Sequence, residues 1–176
     1  MKTIITLAVV MTGMLILSGC ESITTDFDTN LTTTILAEIK VPAEKSSLKD
    51  VTTYPFTATK VLDIKENSRI NEYIDRLKEI NVKSITFTFS GIPAGETITE
   101  LNISVQSVAL DVTLEDLVNG VSVTLDVSPN ILNSLSLELT DNQQITIIVS
   151  GESTFAPMVL NTLMDMPVTV TATVIK

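Results

Sequence analysis

From Leu31 onward, apolar residues fall at every second position in run after run, with Thr and Ser between them. Leu31, Thr33, Ile35, Ala37, Ile39 and Val41 share one parity, and Thr32, Thr34, Glu38 and Lys40 the other. A period of two puts alternate side chains on opposite faces of an extended chain, so such a run is a strand with one buried face. The pattern returns at Tyr54–Ile64, where Pro55 marks an edge or a strand start. It returns again at Ile85, Phe87 and Phe89, at Leu101, Ile103 and Val105, and at Val121 to Val127. Ile145–Val149 and Val168–Val174 complete it. Gly91–Gly95 and Asn119-Gly120 read as turns between runs. Between Val105 and Val108 the parity reverses, which predicts a bulge or a strand passing between sheets near Gln106-Ser107. Seven to nine short strands separated by turn residues predict a mainly β fold, an antiparallel β-sandwich with two or three short helices. Immunoglobulin-like topology is the default expectation, although the buried Trp and cysteine pair of that fold are absent.

Three segments break the period. Ile70, Tyr73, Ile74, Leu77 and Ile80 recur at three and four, which predicts an amphipathic helix over 67–80, capped by Asn67 or Ser68. Ser128-Pro129 places a capping hydroxyl before a proline suited to the first helical turn, and Ile131, Leu132, Leu135 and Leu139 follow. Leu135, Leu137 and Leu139 also alternate as a strand would. Phe155, Met158, Val159, Leu160, Leu163, Met164 and Met166 crowd a connection that reads as a loop followed by one or two helical turns. Two uses fit that segment: a buried plug built on Leu160 and Leu163, with Met158 or Met164 at its rim, or an exposed contact surface. The plug is the expectation.

Composition removes whole classes of chemistry. The chain has no His, no Trp and one Cys, and carries a net charge of −10. Only Lys83 and Lys176 are basic after Ile80, against ten acids. A surface of this sign repels phosphate, which excludes nucleic acid as a partner. Without His, the commonest general base and transition-metal ligand are missing.

The single cysteine has a defined setting. Met1-Lys2 is a basic start, an apolar run extends from Ile4 to Leu17, and small residues lead to Cys20, the order of a secretory signal peptide. A transmembrane anchor is the alternative, but Thr3–Ile16 is short against the ~20 apolar residues that span a bilayer. Leu17-Ser18-Gly19-Cys20 resembles the lipobox of bacterial lipoproteins. That resemblance implies cleavage after Gly19, removal of residues 1–19 and acylation of Cys20, including palmitate-type chains. It also implies a place in the cell envelope, where Glu21, standing where Asp commonly retains such proteins in the inner membrane, favours the outer membrane. Residues 20–30 then read as the lipidated cysteine and a short tether, and 31–176 as one sandwich domain. In general character that domain resembles uncharacterised bacterial lipoprotein β-sandwich domains, with no motif that carries an activity.

Other constellations are weaker. Asp26-Phe27-Asp28-Thr29-Asn30 begins like a calcium loop, but Leu31 and Ala37 stand where Gly and Glu are required, so only a looser oxygen site remains open. Glu115-Asp116 invites a glycosidase reading, yet adjacent positions do not set the carboxylate separation that reaction needs. No catalytic residue, metal or cofactor is expected, and the ligand is unknown. The expected function is a non-enzymatic domain that binds or scaffolds an envelope or surface protein, held to the membrane through acyl chains on Cys20. The alternative is a carrier or sensor of an apolar ligand, held between the sheets or under 155–167.

Overall fold

The computed structural model describes residues 23–41 and 53–174. The strands in chain order are β1 (Ile23–Ile39), β2 (Tyr54–Asp63), β3 (Leu77–Val82), β4 (Thr86–Ser90), β5 (Ile98–Val105), β6 (Leu110–Leu117), β7 (Ser122–Thr124), β8 (Gln144–Ser153) and β9 (Met158–Val174). One sheet runs β1-β9-β4-β7, with β3 also on β9; the other runs β2-β8-β5-β6. All pairs are antiparallel. The sandwich is as expected from the alternation; the order is not immunoglobulin-like. In that fold the first two strands share a sheet, whereas here β1 and β2 lie in different sheets. With β3 set aside, consecutive strands alternate between the sheets except at the β5–β6 hairpin, which is the interleaved order of a jelly roll.

The odd residues of β1 from Leu31 to Ile39 are buried, as are Phe87 and Phe89 of β4, whose rings stack at 6.5 Å. They meet Leu101, Ile103, Ile147 and Val149 from the second sheet. Two glycines permit close approaches. A side chain on Gly151 would strike the carbonyl of Glu100 on β5, and Gly91, at φ +88°, turns the chain against the carbonyl of Val159.

Four sequence expectations are corrected. Residues 23–30, read as tether, are strand, paired from Ile23↔Val174 onward along the whole of β9. The 67–80 helix shrinks to one turn, α1 (Ser68–Asn71), and a 3-10 turn at Ile74–Arg76. Asn67 does cap it, accepting from the N–H groups of Arg69 and Ile70 at 3.1 Å. Beyond it, Ile80 and Val82 bury at a period of two against Val170 and Val168, because β9 offers them an edge to pair with. The 158–164 helix is the start of β9, so Leu160 and Met164 are buried while Leu163 faces out. The parity switch at Gln106-Ser107 is a hairpin turn with Ala109 at φ 53°, not a bulge or a change of sheet. The helix α2 (Pro129–Asp141) forms where Ser128-Pro129 signals it, burying Leu135 and Leu139.

Pro167 sits in the middle of the central strand, where a missing N–H normally breaks a ladder. Its carbonyl accepts from Lys83, in the link between β3 and β4. The N–H-less side of Pro167 therefore faces the gap between two short strands laid end to end, where no ladder bond is lost.

Candidate functional site

The main sheet has two kinds of border. On the β3 side, the N–H of Ile80 donates to Thr140 Oγ1 and that of Val82 to Ser136 Oγ, each at 2.9 Å. The same hydroxyls donate to the carbonyls four residues back in α2, Thr140 to Ser136 at 2.7 Å and Ser136 to Leu132 at 2.8 Å. Four residues advance a helix by about 6 Å and two advance a strand by about 6.7 Å, so the two rows match. Helix α2 seals this edge.

On the other side, β1 is a border strand along its full length. Near its start the carbonyl of Asp28 accepts from Arg69 Nη1 at 2.7 Å and that of Asn30 from Asn67 Nδ2 at 2.9 Å. These bonds show that the even residues of β1 aim their backbone groups away from β9. Thr32, Thr34, Leu36 and Glu38 continue the row, and among the described residues no strand forms a ladder on their outward side. Next to this stretch a surface groove of about 710 Å³ runs between Leu36, Glu38 and Lys40 on one side and Pro55 to Thr59 of β2 on the other. On the outer face Leu36, Val159 and Leu163 are 60%, 46% and 42% exposed. Leu36 pairs with Asn161, so Val159 and Leu163 are its diagonal neighbours and the three form one apolar patch. This open edge and its patch are the candidate site.

At the Ile23 end, cations and rings stack in a row. Arg69 lies 4.7 Å over Phe27, Phe27 is 5.2 Å from Tyr73, and Arg76 lies 5.6 Å over Tyr73. The row pins the α1 region against β1. On the outer face Asp28 accepts from Lys83 Nζ and Thr169 Oγ1, both at 2.7 Å, and these bonds hold its carboxyl below the usual range.

The residues singled out from the sequence are scattered. Cys20 lies outside the described residues. Asp26, Asp28 and Asn30 alternate along β1 instead of forming a loop; Asp28 is engaged as above, and Asn30 Nδ2 donates to Asp165 at 3.2 Å. Among the described residues no three His, Cys, Asp or Glu converge on a metal position. Glu115 stands on an exposed face opposite Glu100, which in turn faces Glu152. Asp116 departs from that acidic row at φ 53°. Of the 155–167 segment, Leu160, Met164 and Met166 enter the core, Met158 packs at its margin, and Leu163 joins the outer patch. Leu163 is thus removed from the plug. The open edge was missed, although Leu36 is apolar on the otherwise polar parity of its run, the one signal that pointed there.

No protein-family model and no curated protein matches the chain. Among solved structures, the chain resembles a decameric BFDV capsid protein at 8% identity and a TM-score of 0.44, over 84% of this chain and 99% of that one. It also resembles a protein of Desmodium yellow mottle tymovirus at 13% identity and a TM-score of 0.36, over 100% of this chain and 97% of that one. At these values neither likeness bears on what the chain does.

Proposed function

We propose that the chain is a lipoprotein of the cell envelope, anchored through acylated Cys20, whose sandwich is a non-enzymatic binding or scaffolding domain. The observation that carries this reading is Leu17-Ser18-Gly19-Cys20 at the end of an apolar leader. In this reading the Phe27–Tyr73 end of the sandwich, the end nearest Cys20 in sequence, faces the membrane, and Glu21, standing where Asp commonly retains such proteins in the inner membrane, favours the outer one. Firm attachment follows from two or more acyl chains, at about 0.8 kcal/mol per buried methylene. An apolar carrier is less well supported, because Phe87, Phe89, Leu101 and Ile103 fill the space between the sheets. The groove beside β1 is open and half polar in its lining residues. An edge that offers backbone groups suits protein contact better than catalysis.

Membrane fractionation with intact-mass measurement tests the anchor. The wild-type chain should lose residues 1–19 and gain acyl mass, and Cys20→Ser should leave it unprocessed and unlipidated. A wild-type chain without acyl mass would overturn the lipoprotein reading. Capture of the intact lipoprotein from membranes, with identification of what accompanies it, tests the binding role.

A further inference from the structure

We infer that Asn30 is the acceptor of an N-linked glycan, with Asn102 a lesser acceptor. The inference rests on the reading of residues 1–19 as an export leader, since such sugars belong to the surfaces of secreted chains. Of the ten Asn residues, only these two have Ser or Thr two positions later, in Asn30-Leu31-Thr32 and Asn102-Ile103-Ser104. A hydroxyl at that spacing, with no Pro between, is what marks an asparagine as an acceptor. In a chain this rich in Thr the triplet alone is a weak signal. The two copies share a further feature, a carboxylate two positions before each amide, Asp28 and Glu100.

Strand geometry sets acid, amide and hydroxyl in one line, because alternate residues share a face. Asp28, Asn30 and Thr32 are all exposed on the outer face of the main sheet. On the outer face of the other sheet Glu100 is exposed, and Asn102 and Ser104 are half-buried. The fold also leaves both amides with a hydrogen to give up. Among the described residues Asn30 Nδ2 donates once, to Asp165, and Asn102 Nδ2 once, to Asp111. A sugar can replace the second hydrogen without breaking either bond. By contrast Asn67 and Asn119, whose side chains cap α1 and brace the Gly91 turn, head no such triplet.

In the transfer, Asn30 Nδ2 attacks the anomeric carbon of a sugar carried on a polyprenyl diphosphate, in the site of a membrane glycosyltransferase. The N–C bond forms and the C–O bond to the diphosphate breaks. The lipid diphosphate leaves, and one amide proton passes to a base of that enzyme. A strand already bonded into a sheet cannot bend into such a site, so transfer precedes pairing. Strand β1 has its ladder partner in β9, near the far end of the chain, whereas β5 closes on β6 through the turn at Gln106–Val108. Asn30 therefore stays open to transfer for longer.

Mass spectrometry of the chain extracted from the cells that make it, intact and as peptides, tests the inference. The Asn30 peptide should carry sugar mass, at higher occupancy than the Asn102 peptide. Thr32→Val keeps the amide and should abolish the sugar at Asn30, whereas Thr32→Ser should retain it. Sugar confined to Asn102, or sugar on Asn30 that survives Thr32→Val, overturns the inference. So does a chain acylated on Cys20 with Asn30 bare, which leaves the anchor standing. Sugar on Asn30 without acyl mass supports the inference and removes the anchor, and a chain with neither overturns both.

Discussion

Strands β3 and β1 flank the same central strand, and both turn a row of backbone groups away from it. For β3 that row ends on the hydroxyls of Ser136 and Thr140; for Thr32 to Glu38 of β1 no ladder partner stands on that side among the described residues. The difference does not come from the strands, since both alternate and both bury their inner residues. It comes from what the chain does next. After β7 it makes a helix whose i, i+4 hydroxyls match the rise of a strand, and after β1 it leaves the sheet for the other layer. Protection of an edge is thus a property of a neighbouring element.

The strongest way to break this comparison is a pair of prolines one residue apart. If even residues face out, Ile35→Pro removes a ladder bond to β9 together with a buried side chain and should cost about 2–5 kcal/mol. Thr34→Pro should then leave denaturant melts almost unchanged. Equal costs would mean that the outward row has been assigned to the wrong residues.

The sealed edge is probed by Thr140→Val, which keeps the shape and removes the acceptor for Ile80. A half-buried N–H left without a partner costs about 1–3 kcal/mol, and Ser136→Ala should repeat the effect at Val82. A loss well below 1 kcal/mol for both would reduce the seal to mere coverage.

Between the two borders lies Thr162 on β9, fully buried with its hydroxyl unpaired among the described residues. Thr162→Val should raise stability by about 1 kcal/mol. Unchanged or lower stability would show that the hydroxyl has a partner. The smallest effect belongs to the acidic row of the second sheet. Glu100→Gln relieves like charges on both sides and should add about 0.2–1 kcal/mol, less at high salt.

Much of the fold could be read in one dimension, because burial of one face leaves a local trace. Ile85, Phe87 and Phe89, Leu101 to Val105, and Ser128-Pro129 all declare their elements without reference to anything distant. The failures share a cause. Ile70 to Ile80 has helical spacing, yet pairing with Val168 to Ala172 overrides it for Ile80. Leu163 beside Met164 spoils the alternation of β9 because one apolar residue of each pair faces out, and Pro167 is tolerated only opposite a gap that no local pattern records. The open edge was harder still: its existence depends on which strand ends up at the border. For Cys20 the reverse holds. Its reading is entirely sequential and lies outside the described residues.

Strand β9 has one more consequence, in time instead of space. The main sheet is assembled around the ninth strand, and its first strand finds a partner only there. Strands β1 and β3 therefore cannot join their sheet until β9 arrives, whereas β4 can pair with β7 beforehand, and much of the loop-closure entropy is lost in that one late step. Topologies of this kind fold in milliseconds to seconds instead of microseconds.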